Sequence, residues 1–553
     1  MINYYSELKK CFKYIKPYRI KIICIFLFTF LGVLIGLLQP KLLGTIIDTI
    51  TAGQYRDVIY IAILMLGINI LSGLFSSASG HLLSKVGMNV VYDMKTRFYG
   101  NMIRLSMRKY DSITTGELIS RYENDIFRIA DILTSTVIDF VMGILTVMIT
   151  IFFMFQINIV LGIVVVLFFP IGFFMEKRFT TLYRKETIKI RNNNDTYMSL
   201  FTDTIAGIRE VKHMVIENLF EQKMNRMQQD FIKLFIKRNI LRIFNNYSKL
   251  IVSVVLDVIL LIISVKYIEI GLLTIGSYIA LTDYSSKFYK SVNDVIKLYS
   301  SFSEVSVSID RITEIEHNFL ASPVKGETKN NKNIEFHGDI VFKDVNFSYH
   351  EEIKVLSNFN AVFKNNSCNL VIGQSGLGKT TILKLLLKFY PVDSGTIAIN
   401  GTDIATIDEE TIRKRIAYVP QNPYFFNGTI RDNILYANND ISDEEIYDIF
   451  EQVGLKELIL SLPDKIESAM QEAGNNFSEG QKQRINFARA IAKGSDIYLL
   501  DEPTSSLDYK NKMDVLKIIN QLSKKHTIIV ISHDSDIVNT LSSSHTISLN
   551  ENG

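Results

Sequence analysis

Residues Gly373-Gln374-Ser375-Gly376-Leu377-Gly378-Lys379-Thr380-Thr381 fit G-x-x-x-x-G-K-[ST], a loop that wraps nucleotide phosphates. The glycines let the backbone turn tightly, so that its N–H groups point at an anion beside a helix N-terminus. Lys379 is placed to reach the β- and γ-phosphates, and the Thr380 hydroxyl to ligate Mg²⁺. A Gly-rich turn before any helix has the same local pattern, so the reading depends on whether more phosphate chemistry follows. It does, in Ile497-Tyr498-Leu499-Leu500-Asp501-Glu502, where an apolar run ends in two carboxylates. Asp501 is suited to hold Mg²⁺ through water, and Glu502 to polarise an attacking water as a general base. Capping a strand end accounts for one acid, but poorly for two downstream of a phosphate loop. Ahead of a helical stretch running to Lys493 stands Phe477-Ser478-Glu479-Gly480-Gln481. Ser478 and Gln481 there form a capping box, and the same helix end offers Ser478 and a flexible Gly480 to a γ-phosphate.

Such side chains need a rigid frame. The apolar run Leu370-Val371-Ile372 reads as a buried strand before the loop, and Thr381 to Lys388 as a helix after it. From Ile340 onward short strands alternate with helices, which predicts an α/β domain of about 200 residues. The 553 residues suffice for about three or four domain-sized units. A net charge of +3 with 21% charged residues marks no nucleic-acid binder. Cys11, Cys24 and Cys368 have no pairing or metal spacing. No short apolar core with a small-residue cleavage site opens the chain, so no cleaved signal peptide is expected.

Nearly all long apolar runs precede residue 300, which predicts a membrane half and a soluble half. Ile20 to Leu38 is long enough to cross a bilayer, and Lys9, Lys10, Lys13, Lys16, Arg19 and Lys21 place its start in the cytoplasm. Further spans are expected at Val58–Ser79, Leu133–Phe155, Ile157–Phe174 and Leu250–Val265. The basic loops at 83–131 and 176–248 read as cytoplasmic. Lys185 to Phe244 has Gly207 as its one breaker and reads as long helical extensions. A sixth span is required to keep the C-terminal half in the cytoplasm, and Ile275–Tyr299 is the candidate. It carries Tyr278, Asp283, Tyr284, Lys287, Tyr289, Lys290, Asn293 and Asp294, so it either lines water or a protein interior, or projects into the cytoplasm with i,i+4 surface pairs. Asp139 lies near the inner end of the third span, where water is within reach. Asp257, mid-span, is expected to face a cavity, contacting substrate or pairing with a neighbouring helix.

On these motifs the chain resembles, over essentially its whole length, an exporter-type half-molecule of the ABC transporter family. Residues 373–381 match that family's Walker A motif, including Gly373, Ser375, Gly376, Gly378, Lys379, Thr380 and Thr381, and Leu499 to Glu502 match Walker B. Ser478-Glu479-Gly480-Gln481 resembles the LSGGQ signature, with Phe477 and Glu479 in place of the usual Leu and Gly. Ser505-Ser506-Leu507-Asp508 is similar to the D-loop and Glu472-Ala473-Gly474 to the segment before the signature. The resemblance implies that Tyr349 stacks on adenine, that Gln421 senses nucleotide and metal and contacts the membrane domain, and that His533, before Asp534, supports the γ-phosphate while Glu502 acts as base. Thr115–Arg121 and Gly207–Lys212 resemble the two cytoplasmic coupling segments, and Gln39–Gly44 with Ile47-Asp48 the pattern after the first span.

The implied architecture is a six-helix transmembrane domain at 1–318, a linker at 319–336 (polar and broken by Pro and Gly between Ala321 and Asn333), and an α/β P-loop ATPase domain at 337–553. The family's usual tail beyond its last strand is not expected after Gly553, and without a peptidase-like Cys/His stretch before the first span an exporter that trims its own peptide cargo is not expected. The resemblance implies ATP and Mg²⁺ as ligands, a plasma-membrane location with a cytoplasmic N-terminus and ATPase, and a second half-transporter chain. In this family each ATP lies between Walker A of one chain and the signature of the other. A homodimeric pump for an amphipathic peptide, lipid or drug is the expectation. A heterodimer with Glu479 marking an asymmetric site, or an ATP-gated channel or regulator, are the alternatives, the last disfavoured by Glu502.

Overall fold

The computed structural model describes residues 12–321, 335–350, 353–374, 376–471, 474–505, 507–533, 537, 540–541 and 545–549. Lys9, Lys10, Cys11, the linker at 322–333, Ser375, Glu472, Ala473, Ser506, Asp534 and the chain end at Gly553 lie outside them. The chain forms two compact units, one from 1–100 with 119–314 and one from 101–118 with 315–553.

The first unit is helical: α1 Arg19–Gly36, α2 Gln39–Thr51, α3 Tyr55–Ile103, α4 Val137–Ile157, α5 Ile159–Ala206, α6 Glu217–Glu269 and α7 Ile275–Ala321. Among the described residues, five helical runs are long and apolar enough to cross a membrane, at 12–51, 55–103, 115–157, 159–206 and 217–269. Each overlaps one of the apolar runs read from sequence, and the fourth starts at Ile159 rather than at the expected Ile157, because Asn158 caps it by accepting from the N–H groups of Val160 and Leu161. The helices are far longer than those runs, because they continue into polar extensions. At 1.5 Å per residue, α6 with its 53 residues is roughly 80 Å long, against about 30 Å of hydrocarbon. The extension of α5 breaks at Gly207 as its composition predicts, passes through a short helix at Ile208–His213 and returns as α6. Buried Glu186 on α5 ties the pair by accepting from Lys237 on α6 at 2.9 Å and from Lys189 at 3.2 Å.

The polar helix α7 has a physical explanation. Between α1 and α2, Pro40 has no N–H for the carbonyl of Gly36 one turn back. Lys287 donates to that carbonyl at 3.4 Å, and the Tyr284 hydroxyl donates to the carbonyl of Leu37 at 2.7 Å. Tyr284 is fully buried and stacks on Phe153, with ring centroids 5.2 Å apart. Asp283 sits 3.7 Å from Lys287 as an i,i+4 pair. The polar side chains thus serve backbone groups that a bilayer cannot satisfy.

The start of α7 is held from α2. Asp48 accepts from the Gly276 N–H at 2.8 Å and from the Thr274 hydroxyl at 2.7 Å, a cap supplied by a different helix. The reach is short because the backbones nearly touch. A Cβ on Gly276 would lie 1.9 Å from the Gly44 carbonyl oxygen, and one on Gly44 2.5 Å from that of Gly276. Further along α7, Arg121 is buried and donates to the Arg311 carbonyl at 2.9 Å and to Glu314 at 3.2 Å. Buried Asp125 accepts from Ser308 at 2.8 Å. Arg121 and Asp125 bound a π-helical turn, a local widening that turns both side chains toward α7.

The second unit is α/β. Its strands are β1 Ile340–His350, β2 Ile353–Phe363, β3 Cys368–Gly373, β4 Ser394–Ile399, β5 Thr402–Asp403, β6 Ile416–Val419, β7 Gly428–Thr429, β8 Ala469–Met470, β9 Ile497–Asp501, β10 Thr527–Ile531 and β11 His545–Leu549. A parallel sheet runs in the order β11-β3-β10-β9-β6, and an antiparallel one in the order β2-β1-β4-β5. β9 and β10 are buried along their whole length, as parallel strands covered on both faces are. Helices α8 Lys379–Leu386, α9 Glu479–Ala492 and α10 Tyr509–Leu522 complete the frame. The segment 101–118 also packs here. Arg108 donates to the Ser348 carbonyl at 3.1 Å and to Asp393 at 3.3 Å, and Asp111 accepts from the Tyr390 hydroxyl.

The Gly44–Gly276 contact makes a stability prediction. Gly276→Val is expected to destabilise the chain by about 1–3 kcal/mol, as overpacking does. Asp48→Ala, which removes only the cap, should cost about 1 kcal/mol. Thermal unfolding of the purified chain in lipid nanodiscs checks both, and unchanged melting in both variants would contradict the packing described.

Candidate functional site

The site is built at one edge of the parallel sheet. β10 pairs with β3 on one side and β9 on the other, so that Ile531 lies opposite both Val371 and Asp501. β6 continues the register, with Val419 opposite Leu500. The loops after β3, β9, β10 and β6 therefore leave the sheet side by side, at the carboxyl ends where open α/β sheets bind ligands. Those loops carry the phosphate loop, the paired carboxylates, His533 and Gln421 respectively.

In the phosphate loop Gly376 and Gly378 have φ of 89° and 86°, left-handed values that side-chain-bearing residues adopt only with strain. Gly378 is also crowded, since a Cβ there would lie 2.8 Å from Val355 Cγ1. Gly373 ends β3, where a Cβ would meet the Leu549 carbonyl oxygen at 2.8 Å. Lys379 is buried at the start of α8, and its ammonium donates to the carbonyls of Gly373 and Gln374 at 2.7 and 2.9 Å, so the loop closes around its own cation. Thr381 lies 3.2 Å from the Tyr349 hydroxyl. Tyr349 in turn packs edge-on against Tyr390, with ring centroids 5.2 Å apart, and lies under the Lys384 ammonium. The ring expected to take adenine is thereby linked through Tyr390 to Asp111 in the 101–118 segment.

The carboxylates separate into two environments. Asp501 is buried, and burial pushes its carboxyl above the usual range, while hydrogen bonds from Thr380 at 3.2 Å and Tyr418 at 3.3 Å pull the other way. A buried carboxylate touching a hydroxyl at a helix N-terminus is a hard oxygen pair, which fits Mg²⁺ held by two protein ligands plus phosphate oxygens. Among the described residues no group of three or more His, Cys, Asp or Glu side chains is placed to hold a metal ion by itself. Glu502 is one residue on, and its backbone is left-handed at φ 47°. Its N–H donates to the Ile531 carbonyl at 3.0 Å, which fixes that turn. The strain aims its carboxylate out of the sheet, where one oxygen accepts from Gln421 Nε2 at 3.0 Å and the other lies 2.9 Å from His533 Nδ1. Asp501 and Glu502, adjacent in sequence, are thus committed to different partners.

Ser478 begins α9 with the expected capping box: its Oγ accepts from the Gln481 N–H at 3.3 Å, and Gln481 Oε1 accepts from the Ser478 N–H at 2.9 Å. A Cβ on Gly480 would lie 3.2 Å from Leu507 Cδ2. Glu479 is paired with Lys482 at 2.5 Å and shares a small cleft with Gln421, Gln483 and Glu502. Among the described residues, no hydrogen bond or ion pair joins Ser478, Gly480 or Gln481 to the phosphate loop. The chain therefore brings Tyr349, Gly373, Gly376, Gly378, Lys379, Thr380, Thr381, Gln421, Asp501, Glu502 and His533 to one edge, and the first turn of α9 borders that edge through Glu479. Tyr418 was not singled out from sequence; it is a strand residue whose hydroxyl acquires meaning only because β6 lies beside β9. Arg108, Asp111, Tyr390 and Asp393 likewise carry no local signal.

Gly378→Ala is expected to weaken binding of a fluorescent ATP analogue at least about tenfold, because the new methyl group must displace Val355 or the loop. A melting temperature near that of the unmodified chain would show the fold intact. Unchanged affinity would contradict the tight loop geometry.

Comparison with known proteins gives two matches along the chain: residues 22–292 to the ABC transporter transmembrane region, and residues 356–505 to the ABC transporter family. A putative multidrug export ATP-binding/permease protein of Bacillus subtilis is 27% identical, with 99% of this chain and 95% of that protein covered. An ATP-dependent lipid A-core flippase of Desulfotalea psychrophila is 27% identical over 95% of this chain and 92% of its own. A lactococcin-A transport/processing ATP-binding protein of Lactococcus lactis is 28% identical over 91% of this chain and 70% of its own. In fold, the chain is similar to a bacterial Atm1-family ABC exporter with ATP bound, at a TM-score of 0.79 and 21% identity, covering 96% of this chain and 93% of that one.

Proposed function

The chain belongs to the ABC transporters, with membrane region and ATP-binding region fused as in exporter half-molecules, and on that premise we propose that two copies form a homodimeric pump for an amphipathic substrate. Export driven by ATP hydrolysis is the activity of the family; the assembly, the residue roles and the cargo are the proposal. The transmembrane part is taken as 1–318, the linker as 319–336 and the ATPase as 337–553, with the N-terminus and ATPase in the cytoplasm of a plasma-membrane protein.

In this reading the phosphate loop, with Ser375 and Lys379, binds the phosphates of ATP, and Tyr349 supports adenine. Thr380, Asp501 and Gln421 hold Mg²⁺, which neutralises phosphate charge when bound. Glu502 orients and deprotonates the attacking water, and His533 steadies both Glu502 and the γ-phosphate. Ser478, Gly480 and Gln481 make no hydrogen bond to the phosphate loop of their own chain among the described residues, which supports the reading that a second copy presents them. ATP then binds the closed pair better than the open one and shifts the population toward closure. Closure moves the 101–118 segment, which is fastened beside Tyr349 through Tyr390 and Arg108.

The observation that carries the homodimer is the Glu502 carboxylate, held between Gln421 and His533 beside Asp501 and Thr380. A chain that carries its own candidate base, metal-holding and phosphate-binding groups supports a pair built from two copies of itself. The heterodimer stays the second reading because Glu479 stands where the family's signature has glycine. An ATP-gated channel is disfavoured by the intact Glu502. The relatives are named for multidrug export, for lipid A-core and for lactococcin-A, which supports an amphipathic cargo here.

The test is ATP turnover by this chain purified alone in lipid, beside Glu502→Gln. Turnover should fall at least about a hundredfold in the variant, with ATP binding retained. A silent unmodified chain that still binds ATP would overturn the homodimer.

A further inference from the structure

A cavity of about 740 Å³ opens within the helical unit, between α2, α5, α6 and α7. Its size is that of drug-sized ligand sites. Phe169, Phe173, Tyr278 and Tyr289 supply aromatic walls, and Phe169 lies 5.9 Å from Tyr289 and 6.1 Å from Phe173 between ring centroids. The cavity is lined by three charged side chains, Asp257, Asp283 and Lys249. Asp283 is already matched by Lys287 at 3.7 Å. Lys249 stands on the same helix as Asp257 but eight residues earlier, about 12 Å along the axis at helical rise and beyond direct contact. Asp257 has no hydrogen bond or ion pair among the described residues. An aspartate in the middle of the membrane-spanning part of α6 is costly, and such groups persist where they serve a ligand or a partner.

We infer that this cavity binds lipophilic organic cations, with Asp257 as the counter-charge and the aromatic walls taking the cation's face and apolar body. The three elements fit that class together. A carboxylate without a cation attracts positive charge, aromatic faces add to that attraction, and the remaining surface suits a hydrophobic skeleton. An anionic amphiphile would meet Asp257 as a repulsion, so the same residue supplies discrimination as well as affinity. This narrows the cargo of the pump proposed above and rests on that reading for its transport role, though binding itself does not.

The experiment measures binding of tetraphenylphosphonium and of tetraphenylborate, ions of similar shape and opposite charge, to the full chain in nanodiscs without ATP. The unmodified chain should bind the cation saturably and prefer it over the anion. Asp257→Asn should weaken the cation at least about tenfold, as loss of one charge-assisted contact does, and Asp257→Glu should restore most of it. Equal cation affinity in Asp257→Asn, or no preference for the cation in the unmodified chain, would overturn the inference. Failure to restore binding in Asp257→Glu while the variant melts normally would also count against a charge role. ATP turnover and its loss in Glu502→Gln, measured on the same preparation, report separately on the pump. Intact turnover with charge-blind binding rejects the cation alone, whereas absent turnover rejects the pump.

Discussion

The parallel pairing of β3, β10 and β9 is the constraint on which the ATP site depends. Parallel neighbours point their carboxyl ends the same way, so groups separated by more than a hundred residues leave the sheet within bonding distance. Thr380 and Asp501 are 121 residues apart in sequence and 3.2 Å apart in space. Gln421 and His533 reach Glu502 from the two flanking strands, β6 and β10. The strands are mostly apolar because both faces of β9 and β10 are covered, and this leaves most of the chemistry to their carboxyl ends. The left-handed backbone at Glu502 is the local cost of turning two consecutive acids in different directions.

In the helical unit the governing constraint is that every backbone polar group must find a partner. Pro40 ends one helix and leaves carbonyls behind, and α7 answers with Tyr284 and Lys287. Asp48 answers the reverse need, the orphan N–H groups at the start of α7. Gly44 and Gly276 bring the two helices close enough for both exchanges. The polar character of α7 is therefore partly structural, and the cavity takes what remains of it.

Much of this was legible in the sequence where the signal is local. The phosphate loop, the adjacent acids and the Ser478–Gln481 cap are contiguous patterns with fixed geometric meaning. Gln421, His533 and Tyr349 were reachable only through family resemblance, because one glutamine, one histidine or one tyrosine says nothing until the sheet gathers it. Tyr418 escaped both routes. Hydropathy found five spans and gave no signal for α7, whose polar side chains have distant partners such as the Leu37 carbonyl, 247 residues from Tyr284. It also saw the apolar part of each helix and not the polar continuation, which has no hydropathy signal. The fastening of 101–118 through Arg108 and Asp111 rests on long-range contacts that no spacing reveals.

The most direct measurement is complementation between two disabled chains, Lys379→Ala and Gly480→Asp. The first removes the cation of the phosphate loop. The second puts a negative charge at the start of α9, tolerable to the helix but repulsive to a γ-phosphate. If each ATP is held between two copies, neither chain alone turns over ATP, yet a mixed pair contains one site with both halves intact. Turnover well above the sum of the separate chains is the predicted result. A mixture no more active than that sum, with mixed pairs shown to form, would contradict an ATP site shared between two copies.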